Sequence, residues 1–458
     1  MPVTRSQTGQ TTSTGKYASS SVPDAVATTI GEGAARKSKA SKRPRYRDGG
    51  PQEPQRFKVD LSLRPEQRYA EVCSALKSEL VGLTGLFDEV MGDIIPWLPL
   101  RWAHLLCWLF LRGVHSKEEN AEIKGISKAT RVPLYLIVCF NVLLDLLMGC
   151  SSGGATVGDG DGGQKMLHFR TLDWDMPALR RIVVMLDFVT ESGGPVVASS
   201  ITYAGFVGVL TGVRKDLSLS LNFRPCRNDN GKFWSSDVKY AWHLLMVLLG
   251  YRPSIASVLR GYLLSDIRGL PVDPNGSRAL YYTDIVQSFA AREGSHMPTS
   301  TACYLCFCSG TETTVVEKDL VTAQVRSSSD FIVITNNDEE GLSTYNERAE
   351  QESTRAVDLA EIVGEARERK QCAEENWHRL RGEQTTIIQS SRASDDLTNN
   401  LPETADVVTL VQQYPTTNEM THFACVMDPQ QGTIVWCRRW ITPVGARWIR
   451  DHTPKISQ

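Results

Sequence analysis

The chain has 458 residues, of which 41% are hydrophobic and 22% charged, and a formal net charge of −2. That apolar fraction can fill a core, so the bulk of the chain is expected to be globular. Eleven cysteines form an odd set without secretion features, which argues against a disulfide framework and for reduced thiols.

Residues 1–55 are rich in Ser, Thr, Gly, Lys and Arg and show almost no aliphatic periodicity, the composition of a disordered tail. They hold nine Lys/Arg against four Asp/Glu, a net of +5, so the rest of the chain carries −7 of the total −2. The run "ARKSKASKRPRYR" (35–47) concentrates seven of these bases. It reads as a nuclear-import signal, a weak attractor for anionic membranes, or a solubilising tail without an address. The first 30 residues lack the apolar core of roughly 7–15 residues that a secretory leader needs. The expected location is therefore the cytoplasm or a membrane periphery, with the nucleus left open by the basic run.

From Phe57 a short strand is predicted, then Pro65 near a helix start, then Val72, Leu76, Leu80, Leu83 and Leu86 at three- and four-residue steps, the pattern of an amphipathic helix. Two more helices are predicted, over 97–111 and from Pro133 to Met148. The Trp-rich segment 94–111 is broken by Pro96, Pro99, Arg101 and His104 and falls short of a membrane span. Its Trp97, Trp102 and Trp108 fit either a membrane interface or a packed core.

Beyond Cys150 the runs "KMLHFRTLDW", "RRIVVMLDFV", "PVVASSITYAGFVGVLTGV" and "LSLSLNFRP" read as strands. Helices are predicted over 236–250 and 254–265, followed by strands in "STACYLCFCSG", "TTVVEKD" and "SDFIVITN" and a charged helix near 351–381. Residues 384–404 read as loop, and "HFACVMDPQQGTIVWCRRW" as a closing hairpin. Strands grouped between pairs of helices predict a sandwich in which antiparallel strands dominate. Cys303, Cys306 and Cys308 lack a fourth zinc ligand at finger-like spacing and read as a buried strand. No folded nucleic-acid-binding module is visible, so no nucleic-acid partner is expected.

The chemistry concentrates at "LLDLLMGCSSGGATVGDGDGGQKMLHFRTLDWD" (142–174), where an apolar run ends in Gly149-Cys150. A hairpin turning about Gly160 would set Cys150 opposite Arg170, within a slip of one or two residues. A fixed positive charge there favours a thiolate. Asp159-Gly-Asp161 begins like a calcium loop but places Gln164 and Arg170 where Gly and Glu are required. His168, on the same strand face as Arg170, is a possible base for Cys150, although a histidine in a strand is more often structural. A different solution uses the backbone: cutting the 149–150 bond gives Cys150 a free α-amine with a reference pKa of roughly 7.7–8.0, suited to act as its own base.

In this order the segments "FKVDLSLRPEQRY", "GCSS…HFRTLDWD", "YAGFVGVLTGVRKDLSLSLNFR", "VITNND" and "FACVMDPQQGTI" resemble the acid ceramidase and N-acylethanolamine acid amidase family of N-terminal-nucleophile hydrolases. The resemblance runs from about Phe57 to about Arg439. It implies an α+β fold, an αββα sandwich of mainly antiparallel sheets with a helical N-terminal region. The implied division is a disordered basic tail (1–55), a mostly helical small-subunit or alpha region (56–149), a catalytic beta region (150–445) and a C-terminal tail (446–458). It further implies Cys150 as nucleophile freed by cleavage after Gly149, Arg170 positioning it, Asp173 holding the new amine and Asn336 stabilising the oxyanion. Asn222 and Arg355 are implied as further substrate or oxyanion contacts.

The implied activity is amide hydrolysis in N-acyl lipids, ceramide before N-acylethanolamines, without metal or other cofactor. The two fragments would stay associated, with peripheral contact to a membrane. The pattern is broken at Phe223, where relatives commonly carry glutamate, at Asn337 in place of tyrosine, and by insertions near 270–300 and 383–400. The glutamate departure leaves a catalytically inactive binding or scaffold relative as the competing reading. Asp173, three residues after Arg170, would face away from it in a flat strand, so the scheme also calls for a bulge or bend.

Overall fold

The computed structural model describes residues 50–94, 97–143, 149–225, 233–265, 281–290, 299–338, 354–390 and 401–456. The basic tail, the end of the predicted helix at 144–148 and most of the two insertions lie outside these residues.

Two sheets build the centre. The strands are β1 (Gln55–Asp60), β2 (Gly149–Gly158), β3 (Gln164–Asp173), β4 (Val183–Val189), β5 (Val196–Tyr203), β6 (Thr211–Arg214) and β7 (Leu217–Phe223), then β8 (Cys303–Cys308), β9 (Thr313–Lys318), β10 (Ala323–Ser328), β11 (Phe331–Ile334), β12 (Thr421–Asp428) and β13 (Thr433–Arg439). One sheet runs β1-β4-β5-β6-β7-β8-β9-β10 and the other β11-β2-β3-β12-β13. Every strand pair is antiparallel except β1 with β4. The sheets face each other where β2 and β3 lie against β7 and β8.

The helices are α1 (Ala70–Ala75), α2 (Lys77–Ile94), α3 (Leu100–Phe110), α4 (Lys117–Thr130), α5 (Leu134–Leu143), α6 (Phe233–Leu248), α7 (Ile255–Leu264), α8 (Tyr282–Ala290), α9 (Thr354–Ser390), α10 (Thr404–Gln412) and α11 (Ala446–His452). Helices α9 and α10 cover the five-stranded sheet, and α7 and α8 cover the eight-stranded one. The result is the four-layer αββα arrangement expected.

Several details differ from the sequence reading. The predicted amphipathic helix is two helices, α1 and α2, separated at Leu76. Helix α4 escaped because its charges mask two apolar positions, Ile123 and Ile126, both buried. Its start is nevertheless written in the chain: the Ser116 hydroxyl accepts from the Glu119 N–H, a cap worth about 1 kcal/mol. Strand β10, helix α10 and helix α11 were also unread. Part of the predicted loop, 384–390, continues α9, and 446–452 forms α11 with Ile449 buried rather than a free tail.

Strand β2 shows why its sequence is so rich in glycine. A Cβ at Gly153 would strike the Ile332 carbonyl of β11, and one at Gly154 would strike Thr313 of β9. Only bare backbone allows β2 to sit between its neighbour and the opposite sheet. Cys150 and Ser152 are carried by this strand.

Candidate functional site

Cys150 is the second residue of β2 and has no exposed surface. The hairpin is centred on residue 161, one later than the Gly160-centred register predicts, which moves each partner by two, so Cys150 pairs with Leu172 and Arg170 pairs with Ser152. Arg170 therefore approaches the thiol diagonally: its Nη2 lies 3.3 Å from Cys150 Sγ, while Nη1 donates to Asn222 Oδ1 at 2.9 Å and to Ser152 Oγ at 3.3 Å. Burial pushes the Cys150 thiol up and the Arg170 charge pulls it back down, with burial the larger effect.

Asn336 follows β11 by two residues and reaches the other end of the nucleophile. Its Oδ1 accepts the Cys150 backbone N–H at 2.7 Å, and its Nδ2 donates to the Phe223 carbonyl at 2.7 Å. The unusual Phe223 thus supplies its backbone to the site, a role indifferent to its side chain.

Asp173 leaves β3 on the face opposite Arg170, beside α9. Its Oδ1 accepts from the Thr421 hydroxyl at 2.6 Å, and its Oδ2, 3.8 Å from Arg369 Nε, has no hydrogen-bond partner among the described residues. The bulge or bend expected between Arg170 and Asp173 is absent from β3, whose pairing with β2 is continuous; the register shift lies instead in β12, between Thr421 and Phe423. Burial raises the Asp173 carboxyl, opposed first by Arg369. Gly149 sits directly across from Asp173, and a Cβ there would come within 3.3 Å of the Asp173 carbonyl oxygen.

Sequence reasoning missed Arg369. It lies in α9, buried, and its Nη2 donates to Asn336 Oδ1 at 2.9 Å. Arg355, named in its place, sits 14 residues earlier on the same helix, about 21 Å along the axis, and its side chain is outside the described residues. Asn222 is buried with its oxygen taken by Arg170 and Ser152. It is a support for Arg170 rather than an open donor. His168 is not beside the thiol: its two ring nitrogens meet Ser218 and Ser220 at 2.9 Å each. Cys303, Cys306 and Cys308 form β8, buried, and among the described residues no cluster of ligating side chains could hold a metal ion.

The segment read as interfacial or core is outward-facing. Trp97 is 80% exposed, and Trp102, Trp108 and Phe110 are about half exposed, as is Trp242 on α6. No helix among the described residues is long and apolar enough to cross a membrane.

Residues 52–113 match the family described as the beta subunit of N-acylethanolamine-hydrolyzing acid amidase. That description gives the beta label to a piece upstream of Cys150, the reverse of the labels expected from sequence. The chain is 32% identical over 189 residues to an N-acylethanolamine-hydrolyzing acid amidase of Caenorhabditis elegans, covering 38% of this chain and 49% of that protein. It is 32% identical over 183 residues to an acid ceramidase of Rattus norvegicus (37% and 45% covered) and 27% identical over 184 residues to a probable acid ceramidase of Caenorhabditis elegans (36% and 44%). The chain thus spans about half the length of the relatives it matches. A solved structure of the Caenorhabditis elegans amidase ortholog aligns with a TM-score of 0.39 at 21% identity, covering 61% of this chain and 93% of that one. Motifs and sequence matches point the same way: over these stretches the chain is similar to proteins of the acid ceramidase and N-acylethanolamine acid amidase family.

Proposed function

We propose that the chain is an amidohydrolase of N-acyl lipids that works through Cys150 as a self-exposed N-terminal nucleophile. One observation carries the reading. The Cys150 sulfur lies 3.3 Å from an anchored guanidinium while the nitrogen of the same residue rests on an amide oxygen at 2.7 Å. Both atoms that such a nucleophile needs are already held.

In the uncut chain the thiol gives up its proton and sulfur attacks the Gly149 carbonyl carbon. The C–N bond to Cys150 breaks, the nitrogen takes a proton, and a thioester links Gly149 to Sγ. Water hydrolyses that thioester, leaving a Gly149 carboxylate and a free Cys150 thiol. The new amine has Asn336 Oδ1 as an acceptor and Asp173 close by. In turnover the amine takes the thiol proton, sulfur adds to the lipid amide, and the lipid amine leaves protonated. Water then releases the fatty acid. Donors fixed in a buried site stabilise the oxyanion without reorganising.

Ceramide is the favoured substrate, on the resemblance of the β5–β7 segment to the ceramidase branch, with N-acylethanolamines second. Fatty-acid release from each, presented in detergent micelles, tests the assignment. Release from ceramide that exceeds release from N-acylethanolamine is expected, and a chain already split at 149/150 that releases acid from neither would be a scaffold instead.

The exposed tryptophans give a lipid hydrolase a place to rest on its substrate's surface. Replacing Trp97 and Trp102 together by alanine is expected to lower co-sedimentation with phospholipid liposomes by about tenfold, given the apolar area removed. Unchanged binding by the folded variant would leave the membrane contact without support.

A further inference from the structure

Strand β7 reads Leu-Ser-Leu-Ser-Leu-Asn, and its polar residues line the space between the sheets rather than solvent. They join a buried thread. His168 Nδ1 lies 2.9 Å from Ser218 Oγ and Nε2 lies 2.9 Å from Ser220 Oγ; Ser220 Oγ lies 2.9 Å from Ser152 Oγ, which lies 2.7 Å from Asn222 Oδ1. Arg170 closes the thread by donating to both Ser152 and Asn222.

Counting protons fixes its direction. Arg170 has only donors, so the Asn222 atom facing it must be oxygen, an orientation also set by Asn222 Nδ2 donating to the Ile334 carbonyl at 3.2 Å. Two oxygens 2.7 Å apart need a proton between them, and only Ser152 can provide it. Ser152 then has none left, so Ser220 must donate to Ser152. Ser220 in turn has none left for the imidazole, so Nε2 must carry the ring proton and Nδ1 must accept from Ser218. Each bond polarises the next, as in any head-to-tail chain.

We infer that His168, held as the neutral Nε2–H tautomer, is a positioning residue for Arg170, acting through Ser220 and Ser152 to aim the guanidinium at the Cys150 sulfur. The inference rests on the reading of Cys150 as nucleophile. Arg170 needs such support because its Nε has no partner among the described residues, so Nη1 alone anchors it while Nη2 meets the thiol. Burial first, and Arg170 second, push the His168 imidazole down to about 3, which keeps the ring neutral at ordinary pH. The other titratable groups around the ring are the thiols of Cys306 and Cys308 on β8, both held protonated by burial. From β2 and β12 it faces Gly154 and Met427.

The test follows splitting at 149/150 by mass during cell-free synthesis, together with the ring-nitrogen spectrum of histidine-labelled protein. His168→Phe and Ser220→Ala are expected to slow splitting by about tenfold or more, whereas His168→Gln, which can still donate to Ser220, stays within about threefold of the natural chain. The His168 ring should show a protonated Nε2 and a bare Nδ1. Splitting of Ser220→Ala at the natural rate, or His168→Gln as slow as His168→Phe, overturns the inference, as does an Nδ1–H ring. If the natural chain never splits, the nucleophile reading falls, and the ring spectrum alone decides whether the thread has the assigned direction.

Discussion

Cys150→Ala is expected to leave the chain in one piece, while the natural protein resolves by intact mass into 1–149 and 150–458. Lipid-amide hydrolysis should fall by about a thousandfold or more in the variant, since loss of a nucleophile removes the covalent route entirely. The fold should survive, because alanine leaves only a small gap and Arg170 keeps its bonds to Asn222 and Ser152 when the sulfur is removed. The splitting rate also has a signed pH dependence. Burial raises the Cys150 thiol, so little thiolate exists at neutral pH and its fraction grows as pH rises. The rate should climb by about one log unit per pH unit between roughly pH 6 and 8. A rate that falls over that range, or fragments in the alanine variant, would remove Cys150 as the agent of cleavage.

Glu122→Ala is expected to produce the largest loss of stability. Glu122 of α4 is buried and accepts from Arg68 Nη1 at 3.0 Å and Arg260 Nη2 at 2.7 Å. Arg68 would retain Glu118 and the Leu61 and Leu63 carbonyls, but Arg260 would keep the Val207 carbonyl as its hydrogen-bond acceptor and Glu119 as a nearby carboxyl without a direct bond to it. Removing the carboxylate hydrogen-bonded to a buried guanidinium costs about 3–5 kcal/mol. Urea unfolding in the uncut Cys150→Ala background measures this without interference from splitting, and a loss below about 1 kcal/mol would contradict it. In the split protein the effect reaches further, because Arg68 and Glu122 belong to 1–149 and Arg260 to 150–458. The same variant should then release the upstream fragment on gel filtration. Glu122→Leu combined with Arg260→Met, which removes both charges at similar volume, should recover much of the stability.

The contrast between residues read and residues missed follows the range of each signal. Cys150 and Arg170 are legible because one hairpin brings them together, and a slip of two residues in its pairing register still leaves them in contact. Asn336 is legible only through its resemblance to a family motif. Arg369 was hidden because it comes 33 residues after Asn336, and charge spacing along a helix as ionic as α9 does not say which arginine turns inward. The polar face of β7 was equally opaque: Ser218, Ser220 and Asn222 alternate with leucines like any half-exposed strand, and only the opposing sheet makes that face an interior. Helix α4 was missed for the opposite reason, its buried Glu119 and Glu122 resembling a solvated surface.

Strand β1 has a consequence beyond its six residues. It forms the rim of the eight-stranded sheet by running parallel to β4, all seven residues of which are buried. Stripped of the upstream fragment, the downstream fragment would present the bare backbone of Val183–Val189 as an open, apolar margin, the template on which chains stack into aggregates. If the chain splits as proposed, β1 would shield that margin from self-association, and a split preparation that loses the upstream piece should precipitate before its remaining core unfolds.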